Sequence, residues 1–241
     1  LGDHLFYYER EHMEDVIDKK QLIQGLKDLV GDRYVLATEA KKHAYTKGYR
    51  YGAGEAWAVA TPGALLEIWK ILQLCVDADL IVIMQAANTG LTGGSTPYGS
   101  DYDRPIVIVN TMRIDDIQII DKGNQIIGLA GSTLFGLENT LASYGREPHS
   151  VIGSTSIGAS IVGGICNNSG GSLIKRGPAY TELSLYAQRN ANGELTLVND
   201  LGIDLGDTPE EILENLQHKR YTDEQIHFTD RLASDNEIEE R

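Results

Sequence analysis

Cysteine is scarce in this chain, long apolar runs are missing, and no block of basic residues occurs. Cys75 lies in an apolar helical pattern and Cys166 in a glycine-rich stretch. Two such cysteines give no disulfide framework, so a reducing cytoplasm is the expected compartment. No apolar stretch approaches the ~18 residues of a membrane-crossing helix, and the N-terminus lacks the basic-then-apolar order of a signal peptide. A formal net charge of −14 without Lys/Arg clusters argues against nucleic acid as a partner. The histidines and cysteines show neither C-x-x-C nor H-x-x-x-H spacing, which leaves no zinc site. Gly158-Ala159-Ser160-Ile161-Val162-Gly163 misses the G-x-S-x-G elbow by one residue. Repeats and low-complexity segments are also lacking.

What is present is a chain of 241 residues, enough for one large domain or two small ones. Leu22, Ile23, Leu26, Leu29 and Val30 recur at helical spacing between Asp18 and the stop at Gly31, and His12, Met13, Val16 and Ile17 extend the pattern upstream. Residues 38–54 read as exposed loop whose lysines form a solvated face. Ala56–Ala60 is a strand. Thr61-Pro62 begins a helix with Leu65, Ile68, Trp69, Leu72 and Val76 as its buried stripe. Leu80–Met84 follows as a buried strand, so a right-handed βαβ crossover sets the strands of Val59 and Val82 parallel in one sheet.

Pro105–Val109 gives a further strand, and residues 117–131 a hairpin around Asp121-Lys122-Gly123-Asn124. Thr133–Tyr144 is a helix with Leu134, Leu137 and Leu141 on one side, closed by Gly145. A second hairpin turns at Ala191-Asn192-Gly193, Asn-Gly being the favoured pair for a two-residue turn. Thr208-Pro209 starts a short helix bearing Ile212, Leu213 and Leu216. From Asn199 onward the chain is acidic, and mobile surface is expected beyond Gln217.

Two glycine-rich stretches carry the functional signal. The first, Ala86-Ala87-Asn88-Thr89-Gly90-Leu91-Thr92-Gly93-Gly94-Ser95, leaves a strand. Its glycines permit close approach to backbone, and successive N–H groups in such a turn suit phosphate oxygens. It has neither the spacing nor the Lys of a Walker loop, and no G-x-G-x-x-G fingerprint. The second runs from Gly153 to Gly171 and mixes Gly, Ser and Asn with Ile, Val and Ala, as expected beside a flat ligand. Taken singly, each is equally well a tightly packed turn. Arg146-Glu147-Pro148-His149 precedes the second, where His149 either faces a site or supports the turn.

At these residues the chain resembles the vanillyl-alcohol-oxidase, or PCMH-type, FAD-binding family. Residues 87–95 resemble its pyrophosphate loop and 157–171 its second flavin-contacting segment. Residues 145–153, Lys175–Leu185, Leu197–Asn199 and Leu201–Gly206 are similar to the bacterial respiratory, quinone-dependent D-lactate dehydrogenases.

The resemblance implies an α+β fold of two lobes with FAD between them. Lobe one, about 26–114, holds the βαβ unit, and lobe two, about 115–216, is larger and antiparallel. Residues 1–25 would be a helical extension, and 217–241 an acidic tail leading to a missing cap domain. The implied FAD-binding residues are Ala86, Ala87, Asn88, Thr89, Gly90, Gly94 and Ser95, then Gly153, Ser160 and Gly170. Relatives that tether flavin carry a His in the first loop, which is lacking here, so noncovalent FAD is implied.

The implied reaction is oxidation of D-lactate to pyruvate with quinone as electron acceptor. It would occur peripherally on the cytoplasmic side of the bacterial inner membrane, with membrane contact only through segments missing from this chain. No catalytic residue is assigned. Another FAD-linked 2-hydroxyacid dehydrogenase, acting for example on glycolate, and a truncated, catalytically silent flavin-binding module are the alternatives.

Overall fold

A computed structural model of the chain describes residues 18–148, 154–169, 181 and 183–227. Helix α1, Lys19–Val30, buries Leu22, Leu26 and Val30. Asp18 caps it, accepting from the N–H groups of Lys20 and Gln21, while Gln21 closes a capping box. Because Asp18 has extended backbone, the helix starts there, and the upstream extension suggested by His12, Met13, Val16 and Ile17 lies outside the described residues. Strand β1 is Val35–Leu36.

Residues 38–54 are not simply exposed loop, since helix α2 spans Glu39–Thr46. Nor are its lysines all solvated: Lys42 is only 1% exposed. Its ammonium donates to the Ala56 carbonyl and pairs with Glu39 at 2.6 Å, so the charge enters the interior with both needs met. Composition had suggested a solvated surface, but a single turn of helix aims this one stem inward.

Strand β2, Ala58–Ala60, is fully buried. Helix α3, Leu65–Asp77, starts three residues beyond Pro62 because Ala64 remains extended. The Gly63 N–H donates to the Glu67 carboxylate at 2.6 Å and the Leu65 N–H to the side-chain oxygen of Gln217 at 2.6 Å, which satisfies donors at the helix entrance. Its buried residues are Leu65, Trp69, Ile71 and Cys75, a stripe rotated from the expected one.

Strand β3 is Ile81–Gln85 and strand β4 is Ile106–Asn110. The sheet order is β1-β2-β4-β3, with β2 and β3 both parallel to β4 and β1 antiparallel. The predicted βαβ unit therefore forms, with β4 inserted between its two strands. That insertion makes β4 the central, wholly buried strand and leaves β3 at the edge with Met84 exposed, correcting the reading of β3 as buried.

Strands β5, Ile117–Ile120, and β6, Gln125–Gly128, form the expected hairpin. Helix α4, Leu134–Ala142, is capped by Thr133 and buries Leu134, Leu137 and Leu141. Helix α5 is Ile161–Cys166. Strands β7, Leu185–Arg189, and β8, Leu195–Asn199, pair antiparallel. Their connection is longer than the two-residue turn read from Asn192-Gly193. The Gly193 N–H donates to Asn190 O, Asn190 N–H to Glu194 O, and positive φ falls on Gly193 alone, so a turn is followed by a glycine bulge.

Helix α6, Pro209–Gln217, opens on a Thr208/Glu211 capping box and buries Ile212, Leu213 and Leu216. These pack with Leu65 and Trp69 of α3 and with Leu201, Ile203 and Leu205, joining α6 to the βαβ unit. The chain beyond Gln217 is not loose at once. Ile226 bridges Ile203, and the Tyr221 hydroxyl donates to Gln118 at 2.5 Å.

Candidate functional site

The first glycine-rich loop begins where the parallel strands end. Gln85 and Asn110 close β3 and β4 and face each other in register. In open sheets with parallel strands, ligands favour this carboxyl edge. Ala86, Ala87, Asn88 and Thr89 are half-buried, Gly90 and Gly94 exposed, and Ser95 half-buried. Asn88 adopts φ 54, a left-handed geometry that Asn tolerates, and its side chain holds the turn. The Asn88 amide donates to Lys47 O at 2.8 Å and accepts from the Ser95 hydroxyl at 2.8 Å. The Tyr51 hydroxyl donates to Thr92 O at 3.1 Å, so residues 47–51 back the loop from behind.

The loop's own amides are left over. Among the described residues, the backbone N–H groups of residues 87–95 donate no hydrogen bond within the protein. There is also room in front of them: a Cβ at Gly90 would meet nothing within 4 Å, and one at Gly94 would approach only the Thr92 hydroxyl, at 3.9 Å. A row of backbone amides without protein acceptors can bind an anion without a cationic side chain. The donor set thus fits a pyrophosphate.

The second stretch is described only in part. Gly153, Gly170 and His149 lie outside the described residues, as do residues 175–180. Ser160 bridges Thr133, and the neighbouring Leu134 N–H donates to Ala159 O and the Ile161 N–H to Ser132 O. The Ser160 hydroxyl is 4% exposed and accepts from Gly163 N–H as the cap of α5. It therefore shapes this turn, as Asn88 and Ser95 shape theirs. A Cβ at Gly163 would meet the Ser160 oxygen at 2.6 Å, so this glycine answers to packing, whereas Gly158 and Gly164 face open space.

The two stretches are connected through Thr111. Its N–H donates to Gln85 O at 2.8 Å and its hydroxyl to Ala130 O at 2.9 Å, immediately before the segment that pairs with Ser160. Gln85, Asn110 and Thr111 were not among the residues expected from sequence. Their signal was a polar residue ending each of two apolar strands, which buried backbone ends need as partners.

Burial pushes the Cys75 thiol on α3 up to about 12. Tyr221 also rises to about 12, from burial and from Asp116 and Asp223. A depression of about 390 Å³ lined by Tyr144, Lys219, Tyr221 and the β5–β6 turn shares no residue with either glycine stretch.

No protein-family model matches the chain. It is 65% identical to the quinone-dependent D-lactate dehydrogenase of Haemophilus influenzae over 202 residues, covering 84% of this chain and 36% of that protein. The Escherichia coli quinone-dependent D-lactate dehydrogenase is 56% identical over 218 residues, 90% of this chain and 38% of the relative. Over that stretch the chain belongs to the quinone-dependent D-lactate dehydrogenase family. It spans little more than a third of the length of these family members.

The fold is that of PCMH-type FAD-binding domains. The structure of p-cresol methylhydroxylase with substrate bound superposes with a TM-score of 0.57 at 17% identity, covering 79% of this chain and 36% of that one.

Proposed function

We propose that this chain is the FAD-binding part of a flavoprotein that oxidises D-lactate to pyruvate and passes the electrons to quinone. The observation that carries the reading is the loop at the carboxyl edge of the parallel strands, where the N–H groups of residues 87–95 have no acceptor among the described residues and open space lies beside Gly90. The names of the two bacterial relatives supply the substrate and the acceptor.

Ala86, Ala87, Asn88, Thr89, Gly90, Gly94 and Ser95 hold the pyrophosphate, mainly through backbone N–H groups. Gly153, Ser160 and Gly170 belong to the second segment, with Ser160 acting as the cap that fixes its shape. The cofactor divides lobe one, about 26–114, from lobe two, about 115–216. FAD, when bound, supplies the two-electron acceptor for the hydroxy acid. The chain's own share is to bind the phosphates, orient the cofactor and exclude water with the apolar residues between its glycines. No base is assigned among the described residues.

The binding is noncovalent, for the first loop offers no histidine. No helix among the described residues is long and apolar enough to cross a membrane. For a lipid-soluble acceptor, the reading includes peripheral attachment at the cytoplasmic face of the membrane.

The test is a visible spectrum of the protein expressed at its full encoded length, taken after incubation with FAD and gel filtration. Retained flavin absorption that D-lactate bleaches anaerobically is expected. A colourless protein overturns the FAD reading, while bleaching by glycolate and not by D-lactate replaces the substrate.

A further inference from the structure

The loop is held at both ends by one pair of buried amide side chains. Gln85 is 2% exposed and Asn110 is 6% exposed. The Gln85 Nε2 donates to Ser95 O at 2.7 Å and to Tyr45 O at 2.9 Å. Its Oε1 accepts from Asn110 Nδ2 at 3.1 Å, and the same Nδ2 donates to Ala86 O at 2.9 Å. Asn110 Oδ1 accepts from the Met112 N–H at 3.2 Å, so every polar atom of the pair has a partner.

The carbonyls that open and close the loop, Ala86 and Ser95, are thus both drawn toward one point beneath it. All described peptides are trans, and in a planar trans peptide the N–H points opposite to the carbonyl. Pulling Ala86 O toward the pair therefore turns the Ala87 N–H away from it, and that N–H has no acceptor among the described residues. The pair also fixes the distance across the mouth of the loop, because a single side chain spans from strand end to Ser95.

We infer that Gln85 and Asn110 are positioning residues that pre-set the amides of residues 87–95 for a pyrophosphate. Neither side chain touches the ligand. The inference rests on the FAD reading above and adds to it the device that keeps the loop open and aimed. Preorganised donors bind more tightly because little ordering remains when the ligand arrives. Removing one end-anchor should therefore weaken phosphate-bearing ligands while the rest of the molecule stays folded.

The experiment uses the flavin-free protein at its full encoded length. Dissociation constants for FAD and for ADP, which carries the same pyrophosphate without the flavin, are measured in wild type, Gln85→Met and Asn110→Ser. Leu26→Val, in the core beneath α1, serves as a variant destabilised away from the loop. We expect Gln85→Met to weaken both ligands about tenfold or more, Asn110→Ser to weaken both by less, and Leu26→Val to leave both unchanged. The double variant should weaken binding by less than the product of the two single effects, since the side chains act as one unit.

Unchanged constants in both loop variants overturn the inference while leaving the FAD reading intact. Equal losses in Leu26→Val overturn it as well, by showing a general effect of stability. Should Gln85→Met fail to fold, Asn110→Ser still decides, because Gln85 can keep its bond to Ser95 there. Wild-type protein that binds neither ligand rejects the FAD reading itself, and this inference with it, before any variant is considered.

Discussion

Lys42 shows how one side chain can reverse the reading of a whole segment. Its ammonium is buried against Ala56 O and Glu39, so Lys42→Ala would strand the Ala56 carbonyl and leave a gap beside β2. A loss of about 2–3 kcal/mol in denaturant unfolding is expected. The bond to Lys42 and its charge hold the Glu39 carboxyl below the usual range. A depressed folded-state pKa adds stability above the ordinary Glu range, which is lost as pH falls through the lower folded value. In Glu39→Gln the acid limb of the stability–pH curve should accordingly be flatter than in wild type. If the two curves fall in parallel, this pair has no part in acid denaturation.

The cysteines divide in the same way. Burial raises the Cys75 thiol to about 12, whereas Cys166 is exposed. Because the thiolate is the reactive form, a thiol reagent at pH 8 should label Cys166 alone in the native protein. Mass spectrometry would find Cys75 modified only after unfolding.

At the scale of elements, caps and turns were readable because their chemistry is local. Thr208-Pro209 marked the start of α6, where Thr208 accepts from Glu211 N–H and Glu211 answers with bonds to the N–H groups of Thr208 and Asp207. Thr208→Ala should cost about 1 kcal/mol, seen as a lower unfolding midpoint without loss of cooperativity. The β7–β8 connection was legible as a hairpin but not in its form. Gly193 sits at φ 86 with the Arg189 guanidinium 3.2 Å from where a Cβ would stand. Gly193→Ala is thus expected to destabilise by about 1 kcal/mol, and a neutral substitution would show that the bulge relaxes freely. The start of α3 was misplaced because its entrance is completed by Gln217, which lies 152 residues further on from Leu65.

Across the whole molecule, the cluster uniting Leu65 and Trp69 with Ile212, Leu213 and Leu216 makes the βαβ unit and α6 share a core. Flavin binding would then stabilise the two together, by simple mass action. The proposed noncovalent binding predicts that acid precipitation releases the yellow colour to the supernatant. Colour remaining in the pellet would contradict that expectation.

The sequence by itself determined the glycine loops and the βαβ order, which depend on local spacing: strand and helix periods and backbone freedom at glycine. The α+β class and FAD as the ligand to seek were implied by the family resemblance of those loops. Tertiary structure alone decided that β4 enters between β2 and β3, that Lys42 turns inward, and that Gln85, Asn110 and Thr111 gather under the loop. Those outcomes join residues distant in sequence, and no local pattern records which carbonyl a buried amide will meet. Burial forces each of these polar groups to find a partner, and only the folded chain determines which one it finds.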